Sequence, residues 1–351
     1  MKQSETRVQY GIENFWEFLC NQRRRSNGKL FRYLWNRFQW SYFPKLRIVP
    51  KFPLNIDIEA SSACNIKCDH CFRQYMTVGE NALMPMDMYK KIVDECGENK
   101  LYTLKFSMRG EPTLHPQLSE MIAYAKQKKI PEVWVNTHGG NLTEKLCEDM
   151  IKAGVDWITV SFDGLGKMYE SIRKPLKYEE NLARLKMLRS VRDRLKANTF
   201  LNVQTLWSAM KDNPGEYIKI MKAIVDRVAY NADMNFKEIT LVPDDEFVCP
   251  RLWHRLAITS TGDVLKCPSD FLQEEVLGNV RTQSLKNIWE CEQEFERQKH
   301  MHLRKKESCV CQKCHHGSKR VKRQVRVGED VSTDFNYEFK KDFTGVGLNR
   351  K

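Results

Sequence analysis

The order of apolar and polar residues predicts strands that alternate with helices through the middle of the chain. Short apolar runs at 54–59, 101–107, 132–137, 156–162, 199–206 and 237–243 are typical of strands. Longer amphipathic stretches at 86–97, 116–129, 142–153, 178–197 and 214–229 predict the helices between them. Six such alternations favour parallel strands wrapped by helices, short of the eight that close a full barrel. We therefore predict an α/β fold, a partial (β/α)6 barrel.

The alternation ends after Pro243, and the pattern then changes. Two apolar runs on either side of Gly262 predict a β-hairpin, and Ser284 begins a predicted helix at 284–299. Residues beyond 316 are polar and charged, with few aliphatic side chains, so we predict a flexible tail. The predicted organisation is a basic aromatic segment at 1–52, the barrel at 53–245, a small hairpin and helix domain at 246–316 and the tail at 317–351.

Composition narrows the class of protein. Hydrophobic residues make up 41% of the 351 residues, enough for a substantial core. No run approaches the roughly 20 apolar residues of a membrane span, and no export signal is visible at the N-terminus. The twelve cysteines fall largely into tight clusters. Clustered cysteines without an export signal favour metal ligation in a reducing, cytoplasmic compartment over a secreted disulfide scaffold.

The first cysteine cluster is Cys64, Cys68 and Cys71, directly after the first predicted strand. Three thiolates on one loop can hold three corners of an iron–sulfur cube. The fourth iron is then open to bind a substrate or cofactor, as the open position of a catalytic zinc site is. The alternative is a zinc site completed by His70 or His115. The carboxyl end of a barrel strand, where such barrels place their active sites, favours the catalytic interpretation.

This C-x3-C-x2-C loop resembles the signature of the radical S-adenosylmethionine superfamily. The resemblance implies that the open iron chelates the cofactor's methionine and that reductive cleavage yields a 5′-deoxyadenosyl radical. Further motifs follow in order: Arg109-Gly110-Glu111-Pro112 resembles Gly-Gly-Glu-Pro, with Arg109 expected to alter the wall of the site. Asn136-Thr137-His138-Gly139 and Ser161-Phe162-Asp163-Gly164 follow later strands. The implied cofactor-contacting residues are His70, Gly110, Glu111, Asn136, Ser161, Arg173 and Val242.

The second cysteine set resembles the C-terminal extension called SPASM, in its short twitch form. Cys249 and Cys267 flank the predicted hairpin, and Cys311 and Cys314 form a later C-x2-C knuckle. These four residues are the implied ligands of one auxiliary 4Fe–4S cluster. Cys309 is an alternative to Cys311, which we prefer for its spacing. Structural zinc is the competing interpretation of these four thiols.

The resemblance implies an enzyme that abstracts hydrogen from a substrate C–H bond and receives electrons from a flavodoxin- or ferredoxin-type reductant. An auxiliary cluster can accept an electron, so we favour a radical oxidoreductase. Its expected reaction is dehydrogenation or epimerisation of a polar small molecule such as a sugar, aminocyclitol or glycan precursor. The alternatives are a peptide-modifying maturase and a non-catalytic zinc-binding protein. The sequence does not identify the catalytic base or hydrogen donor, the substrate or the oligomeric state.

The N-terminal segment raises a separate question about partners. Residues 1–52 hold eleven Lys and Arg against three Glu, a large share of the chain's net charge of +13. Residues 29–43 predict an amphipathic helix with Phe31, Leu34, Trp35 and Phe38 on one face. This helix could contact a membrane surface. Alternatively, and by our preference, these apolar residues cover the barrel's open edge while the arginines face water. We expect no nucleic-acid binding, because no recognition fold accompanies the arginines.

Overall fold

A single ten-stranded sheet forms the frame of the molecule. The computed structural model describes residues 9–11, 15–26, 28–76, 81–231, 244, 246–302, 307–312, 314–317, 320–327 and 330–337. The strands run in the order β1-β7-β6-β5-β4-β3-β2-β8-β9-β10. They are β1 (Gln9–Gly11), β2 (Asn55–Ile58), β3 (Thr103–Phe106), β4 (Glu132–Thr137), β5 (Trp157–Ser161), β6 (Phe200–Leu206), β7 (Arg227–Asn231), β8 (Arg255–Ile258), β9 (Asp263–Leu265) and β10 (Val276–Asn279).

Strands β2 to β7 are parallel, and helices cross between them. The connecting helices are α3 (Met86–Glu98), α4 (Leu118–Gln127), α5 (Glu144–Lys152), α6 (Gly166–Ile172), α7 (Tyr178–Arg194), α8 (Trp207–Met210) and α9 (Pro214–Lys222). Local signals set some helix starts: the Thr143 side chain caps α5, and Asn213 caps α9 ahead of a proline. The sheet does not close, so the predicted partial barrel is confirmed.

Alternation along each strand separates two environments. Leu104, Phe106, Ile158 and Val160 join the hydrophobic core beneath the helices. Their neighbours on the other face are more polar and line the concave side of the sheet, which we call the lumen. Because side chains of a strand alternate between its two faces, this division follows directly from the sequence pattern.

The sixth parallel strand lies earlier than predicted. Helix α9 ends at Lys222, and β7 pairs with β6 from Asn202↔Arg227 to Leu206↔Asn231. The prediction that a helix continues to residue 229 was therefore wrong. Val228 and Tyr230 are fully buried on one face, so pairing with a neighbouring strand overrides a run that also fits a helix. The predicted strand at 237–243 and Val242 lie outside the described residues.

The C-terminal domain continues the barrel sheet. The predicted hairpin around Gly262 is formed by β8 and β9, with Gly262 at φ +94°. Strand β8 also pairs in parallel with β2, from Asn55↔Arg255 to Ile58↔Ile258. The later helices are α10 (Leu285–Asn287), a π-helical turn at Ile288–Glu292, α11 (Gln293–Met301) and α12 (Cys309–Gln312). The small domain is thus joined to the barrel edge by backbone hydrogen bonds.

Part of the predicted flexible tail is a regular hairpin instead. Strands β11 (Arg320–Val327) and β12 (Asp330–Tyr337) pair antiparallel, from Arg320↔Tyr337 to Val327↔Asp330. The valines at 321, 325 and 327 alternate with polar residues, which is the period of a strand. The prediction of a flexible tail gave more weight to the charge of these residues than to this alternation.

Helices α1 (Phe15–Arg25) and α2 (Leu30–Leu46) lie across the amino-terminal ends of the parallel strands. Arg24 hydrogen-bonds the carbonyl of Thr199, just before β6, and Trp40 stacks on His254, just before β8, with ring centroids 4.0 Å apart. The face that we expected to cover the barrel edge points outward: Phe31 is 89% exposed and Trp35 56%. That expectation was wrong, because the opposite face of α2 makes the contact: Arg32 lies over the Tyr102 ring, and Arg255 lies over the Trp40 ring.

No helix in the described part of the chain has both the length and the apolar character needed to cross a bilayer.

Candidate active site

The cysteine loop leaves the carboxyl end of β2 and is fixed to its surroundings by backbone hydrogen bonds. Lys67 donates to the carbonyl of Lys174 (2.8 Å), and Ser62 donates to that of Ala82 (2.9 Å). Cys64, Cys68 and Cys71 are half-buried free thiols. The structure therefore brings the three predicted cluster ligands onto one anchored loop at the active-site end of the barrel.

The thiols are close enough to influence one another. Burial raises the pKa of Cys68 to about 11; the charge of Arg173 opposes this, and Cys71 and Cys64 add to it. Burial also raises the pKa of Cys64. Thiols in such a place become thiolates when they bind a metal, because coordination releases the proton. Within the described residues, no three His, Cys, Asp or Glu converge on a single metal ion. Three thiols on one anchored loop can hold three corners of an iron–sulfur cube.

Gly110 allows the end of β3 to approach the cysteine loop. A Cβ on Gly110 would lie 2.0 Å from the Ser61 carbonyl oxygen and 2.7 Å from that of Ala63. Any side chain would therefore push the two segments apart. The same approach lets the Glu111 amide donate to Ala63 at 2.7 Å. The predicted cofactor role of Gly110 stays a prediction, and its structural role is close packing.

The Glu111 carboxylate ties the ends of β3 and β4 together. It is buried and accepts from the Thr113 amide (3.1 Å), the Thr113 hydroxyl (2.6 Å) and the His138 amide (2.9 Å). A carboxylate has about four acceptor positions, so few remain for a cofactor amine. The structure thus gives Glu111 a clear positioning role, and its predicted contact with a cofactor remains a prediction.

His138 links the strand-end motif to the cysteine loop, a role that sequence reasoning did not assign. Its Nδ1 accepts from the Gly140 amide (2.9 Å), so Nε2 carries the proton and donates to the Asn65 side-chain oxygen (2.9 Å). Burial lowers the pKa of His138, which keeps the ring neutral near pH 7. Its position directly after β4 was the available signal.

Asn136 offers an unused polar atom to the site. Its Nδ2 donates to the Ser107 hydroxyl at 3.3 Å, whereas its Oδ1 is buried and has no partner among the described residues. Buried polar atoms are rarely left unpaired, so an orphaned acceptor at a strand end fits a missing ligand. Ser161 lies half-buried at the end of β5, the second strand-end position predicted to meet the cofactor, and His70 is exposed on the loop. Their roles, like that of Asn136, stay predictions.

Arg173 lies between an acid and a cluster thiol. Its Nε donates to Asp163 (2.6 Å), and its Nη1 is 3.5 Å from the Cys68 sulfur. Burial works to lower the pKa of Arg173, but the charges of Asp163 and Cys68 outweigh it, and the pKa is raised. The guanidinium is therefore a fixed positive charge beside the thiols. This placement is compatible with a cofactor carboxylate and adds a contact that we did not predict.

Arg109 does not alter the wall of the site as expected. It forms a buried two-bond pair with Glu59, at 2.6 and 2.7 Å, and also reaches Gln273 of the small domain. Glu59 in turn accepts from the amide and hydroxyl of Ser260. The arginine that replaces the usual glycine therefore fastens the ends of β2 and β3 to the C-terminal domain, because its long side chain reaches across the sheet edge.

The second cysteine set converges in a buried cavity. Cys249, Cys267, Cys311 and Cys314 line it together with Leu252 and Val310. Burial raises the pKa of the Cys249 thiol, and the other three cysteines add to the effect. Burial likewise raises the pKa of Cys311 to about 12. Four thiols in one cavity, with Arg251 and Lys266 beside them, fit a metal or cluster that compensates their charge on binding.

Cys309 takes no part in this cavity. Its amide and thiol both donate to the Glu275 carboxylate, at 2.9 and 3.3 Å. Cys311 instead faces His300, whose Nε2 lies 3.4 Å from its sulfur. The structure thus places Cys311, and not Cys309, beside Cys249, Cys267 and Cys314. Cys20, Cys96, Cys147 and Cys291 lie in other parts of the molecule, and none of the twelve cysteines forms a disulfide.

The structure has an open sheet with a three-thiol loop at the carboxyl end of its parallel strands and a four-thiol site in the adjoining domain. This arrangement is that of an iron–sulfur protein of the partial-barrel class. Residues 58–203 match the Radical SAM superfamily, and residues 249–315 match SPASM, an iron-sulfur cluster-binding domain. The chain belongs to the radical SAM superfamily and carries a SPASM domain. These two family matches give its cofactors as 4Fe–4S clusters and S-adenosylmethionine.

Two curated relatives are similar to part of the chain. A tungsten-containing aldehyde ferredoxin oxidoreductase cofactor-modifying protein of Pyrococcus furiosus is 29% identical over 140 residues, covering 36% of this chain and 39% of that protein. A probable GTP 3′,8-cyclase of Methanococcus vannielii is 35% identical over 127 residues, covering 36% and 41%. The chain thus spans about two fifths of the length of the relatives it matches.

Two solved structures share the fold over most of the chain. BtrN in complex with AdoMet and 2-DOIA has a TM-score of 0.53 at 20% identity and covers 75% of this chain and 93% of BtrN. Streptococcus suis SuiB bound to S-adenosylmethionine has a TM-score of 0.54 at 13% identity and covers 81% and 78%. At these identities the likeness establishes the fold.

Proposed function

We propose that this radical SAM enzyme oxidises a polar small molecule, such as a sugar, an aminocyclitol or a glycan precursor, by removing two hydrogens. The observation that carries the proposal is the closed four-thiol site. Strand β8 extends the barrel sheet, and the cavity that follows it holds Cys249, Cys267, Cys311 and Cys314. A second cluster at this place can accept the electron that a dehydrogenation leaves behind.

We propose separate roles for the cysteines and for the polar residues at the strand ends. Cys64, Cys68 and Cys71 would hold the first cluster, and Cys249, Cys267, Cys311 and Cys314 the second. When bound, the first cluster and S-adenosylmethionine supply the adenosyl radical that abstracts hydrogen from the substrate. Asn136, with its orphaned oxygen, and Arg173, with its fixed charge, are proposed to hold the cofactor at the strand ends.

The lumen supports a polar substrate. Arg255 donates to Asp57 at 3.0 Å, and Arg227 donates to Asn202 at 3.3 Å. Lys105 lies over the Trp134 ring, 5.7 Å from its centroid. Arg255 and Arg227 begin their strands and are already paired. The support for a polar substrate therefore rests on Asp57 and Lys105, whose charges suit polar substituents such as hydroxyl groups.

Lys105 is our candidate for the base. Its amine has no hydrogen-bond or ion-pair partner among the described residues, and burial lowers its pKa while Asp57 opposes the change. A lowered pKa raises the fraction of neutral amine, the form that accepts a proton. In the proposed dehydrogenation the carbon-bound hydrogen leaves as an atom, the hydroxyl proton goes to Lys105, and the remaining electron goes to the second cluster.

The test is substrate-dependent formation of 5′-deoxyadenosine by anaerobic, reduced enzyme, screened across sugars, aminocyclitols and nucleotide sugars. The reaction is run in D₂O. Dehydrogenation gives a product that has lost two hydrogens and carries no deuterium. An epimerisation retains the mass and incorporates one deuterium from solvent. Lys105→Met is expected to keep uncoupled cofactor cleavage and lose product, and Lys105→Arg serves as the charge-retaining comparison.

Two outcomes would contradict the proposal. Product formation from precursor peptides alone would favour a peptide-modifying maturase. Zinc in place of iron, with no cofactor cleavage by reconstituted protein, would favour a non-catalytic binding protein. We also propose a flavodoxin- or ferredoxin-type reductant and a cytoplasmic location, because twelve free thiols suit a reducing compartment.

A further inference from the structure

Helix α2 exposes a continuous apolar face to solvent. Phe31, Leu34, Trp35, Phe38 and Tyr42 are all exposed, and their spacing of three or four residues places them on one side of the helix. The rings touch one another: Trp35 stacks on Phe38 at 5.6 Å and Phe38 on Tyr42 at 4.9 Å between centroids. We call these five residues the aromatic ridge. A contiguous exposed apolar surface of this kind marks an interaction site.

The fold holds the ridge outward. The opposite face of α2 buries Tyr33 and Asn36, and Trp40 stacks on His254. His254 donates to the Trp40 carbonyl at 2.7 Å, and Arg37 and Arg255 lie over the Trp40 ring. The helix therefore cannot roll to bury the ridge without giving up these contacts.

The charge of the segment that carries the ridge is of one sign. No Asp or Glu occurs between Glu17 and Asp57, whereas nine Lys and Arg do. Those that remain exposed are Arg23, Lys29, Lys45, Arg47 and Lys51. Lys45 lies 5.5 Å from the centroid of the Tyr42 ring, so cationic groups border the ridge directly. Leu46, Ile48 and Val49 continue the exposed apolar surface among them.

An apolar ridge with a cationic border favours some binding partners over others. Two copies meeting ridge to ridge would bring the same cationic border together, because a two-fold interface pairs each patch with itself. An anionic bilayer offers the opposite charge to the border and an apolar layer to the rings. Tryptophan and tyrosine are also the side chains favoured at the boundary between head groups and acyl chains.

We propose that α2 is a peripheral membrane anchor, which inserts the aromatic ridge into an anionic lipid surface and holds it with the surrounding lysines and arginines. The anchor lies at the amino-terminal ends of the strands, and the cysteine loop follows their carboxyl ends. Docking thus turns the active-site end away from the bilayer, and the substrate reaches it from water. The proposal does not depend on the reaction proposed above.

The experiment is co-sedimentation of the full chain, as anaerobically purified holoenzyme, with vesicles of phosphatidylcholine alone or mixed with phosphatidylglycerol. Binding is expected to the mixed vesicles only and to weaken with added salt, because salt screens the charges. Phe31→Ser/Trp35→Ser is expected to reduce binding by about tenfold or more, since it removes most of the inserted apolar area. Phe295→Ser, which alters an exposed aromatic residue elsewhere, is the matched control.

Two double charge-reversal variants measure the contribution of the cationic border to vesicle binding separately from that of the ridge. Lys45→Glu/Arg47→Glu is expected to lose binding to the mixed vesicles, whereas Lys186→Glu/Lys211→Glu, at exposed positions far from α2, is expected to bind as wild type does. Circular dichroism and cofactor cleavage verify that each variant is folded. The proposal is overturned if wild type ignores both vesicles, or if the ridge variant binds unchanged. It is also overturned if sedimentation shows a dimer that the ridge variant dissociates, since the occupant is then a second copy.

Discussion

The two cysteine sites of this protein differ in ways that match two different tasks. The first has three thiols on a half-buried loop, next to a fixed positive charge on Arg173 and an unpaired acceptor on Asn136. The second has four thiols lining one cavity, beside the apolar Leu252 and Val310 and the cationic Arg251 and Lys266. A site that must admit a cofactor needs an open coordination position and polar neighbours, whereas a site that only stores an electron is better closed.

The strongest test of this comparison removes one cysteine from each site. Cys68→Ala is expected to abolish 5′-deoxyadenosine formation, because the first cluster loses a ligand beside Arg173. Cys267→Ala is expected to keep cofactor cleavage and lose product. Each variant should fall from about eight to about four irons per chain, the content of one cubane cluster. Iron, sulfide and nucleoside assays on anaerobic protein measure these changes.

Cys291→Ala is the control for that pair, since Cys291 is an exposed free thiol outside both sites. It should keep both clusters and full activity. Loss of cofactor cleavage in Cys267→Ala together with retention in Cys68→Ala would invert the assignment of the two sites.

A second test asks whether Cys309 or Cys311 is a ligand of the second cluster. Cys311→Ala is expected to lose the second cluster, because Cys311 lines the cavity. Cys309→Ala is expected to retain it, since its thiol hydrogen-bonds Glu275 instead. The measurement is iron content with electron paramagnetic resonance of the reduced protein. Equal iron loss in both variants would show that the knuckle rearranges when the cluster binds.

A third test concerns the connection between the sites. Glu59 and Arg109 are buried, and together they join β2 and β3 to Ser260 and Gln273 of the small domain. Glu59→Gln leaves a buried guanidinium without its counter-charge, for which a loss of about 3–5 kcal/mol in the free energy of unfolding is expected. Chemical denaturation measures it.

Asp149→Asn is the matched control, because Asp149 pairs with Lys145 on an exposed helix surface. Its effect on stability is expected to be far smaller. If the two variants are equally stable, the buried pair is not what holds the small domain to the barrel.

Sequence reasoning reached the fold, and it named the two groups of cysteines that the structure brings together, because those signals are local. The strands, the crossing helices and the motifs after each strand depend on periodicity and spacing, which the chain displays directly. The choice of Cys311 over Cys309 came from the C-x2-C spacing of a knuckle, and the cavity agrees with it.

What the sequence left undecided depends on long-range packing. The partners of Arg109 are 50 and 164 residues away along the chain, so a sequence window could not contain them. The orientation of α2 was misjudged for a related reason. Both of its faces carry aromatic rings, and which face docks is decided by Tyr102, His254 and Arg255, which are distant along the chain.

The smallest expected effect is on the pH dependence of stability, and it comes from His254 at the start of β8. His254 is buried between Trp40 and the strand start, and its pKa is lowered to about 3 by burial, by Arg255 and by the neighbouring Arg37 and Arg251. In the unfolded chain the pKa of a histidine is ~6.5. Between these values the unfolded state binds a proton that the folded state does not, so stability falls as the pH drops, by about 1.4 kcal/mol per pH unit.

His254→Gln retains a donor for the Trp40 carbonyl and has no titrating group, so it should remove this part of the acid sensitivity. The comparison is denaturant unfolding of wild type and variant from pH 7 to pH 4.5, with the difference in slope as the readout. Loss of the iron–sulfur sites at low pH affects both proteins alike and cancels in that difference. Identical slopes would mean that His254 is protonated in the folded protein. In that case burial against Trp40 does not keep the ring neutral, and the contact of α2 with the barrel adds no acid sensitivity through His254.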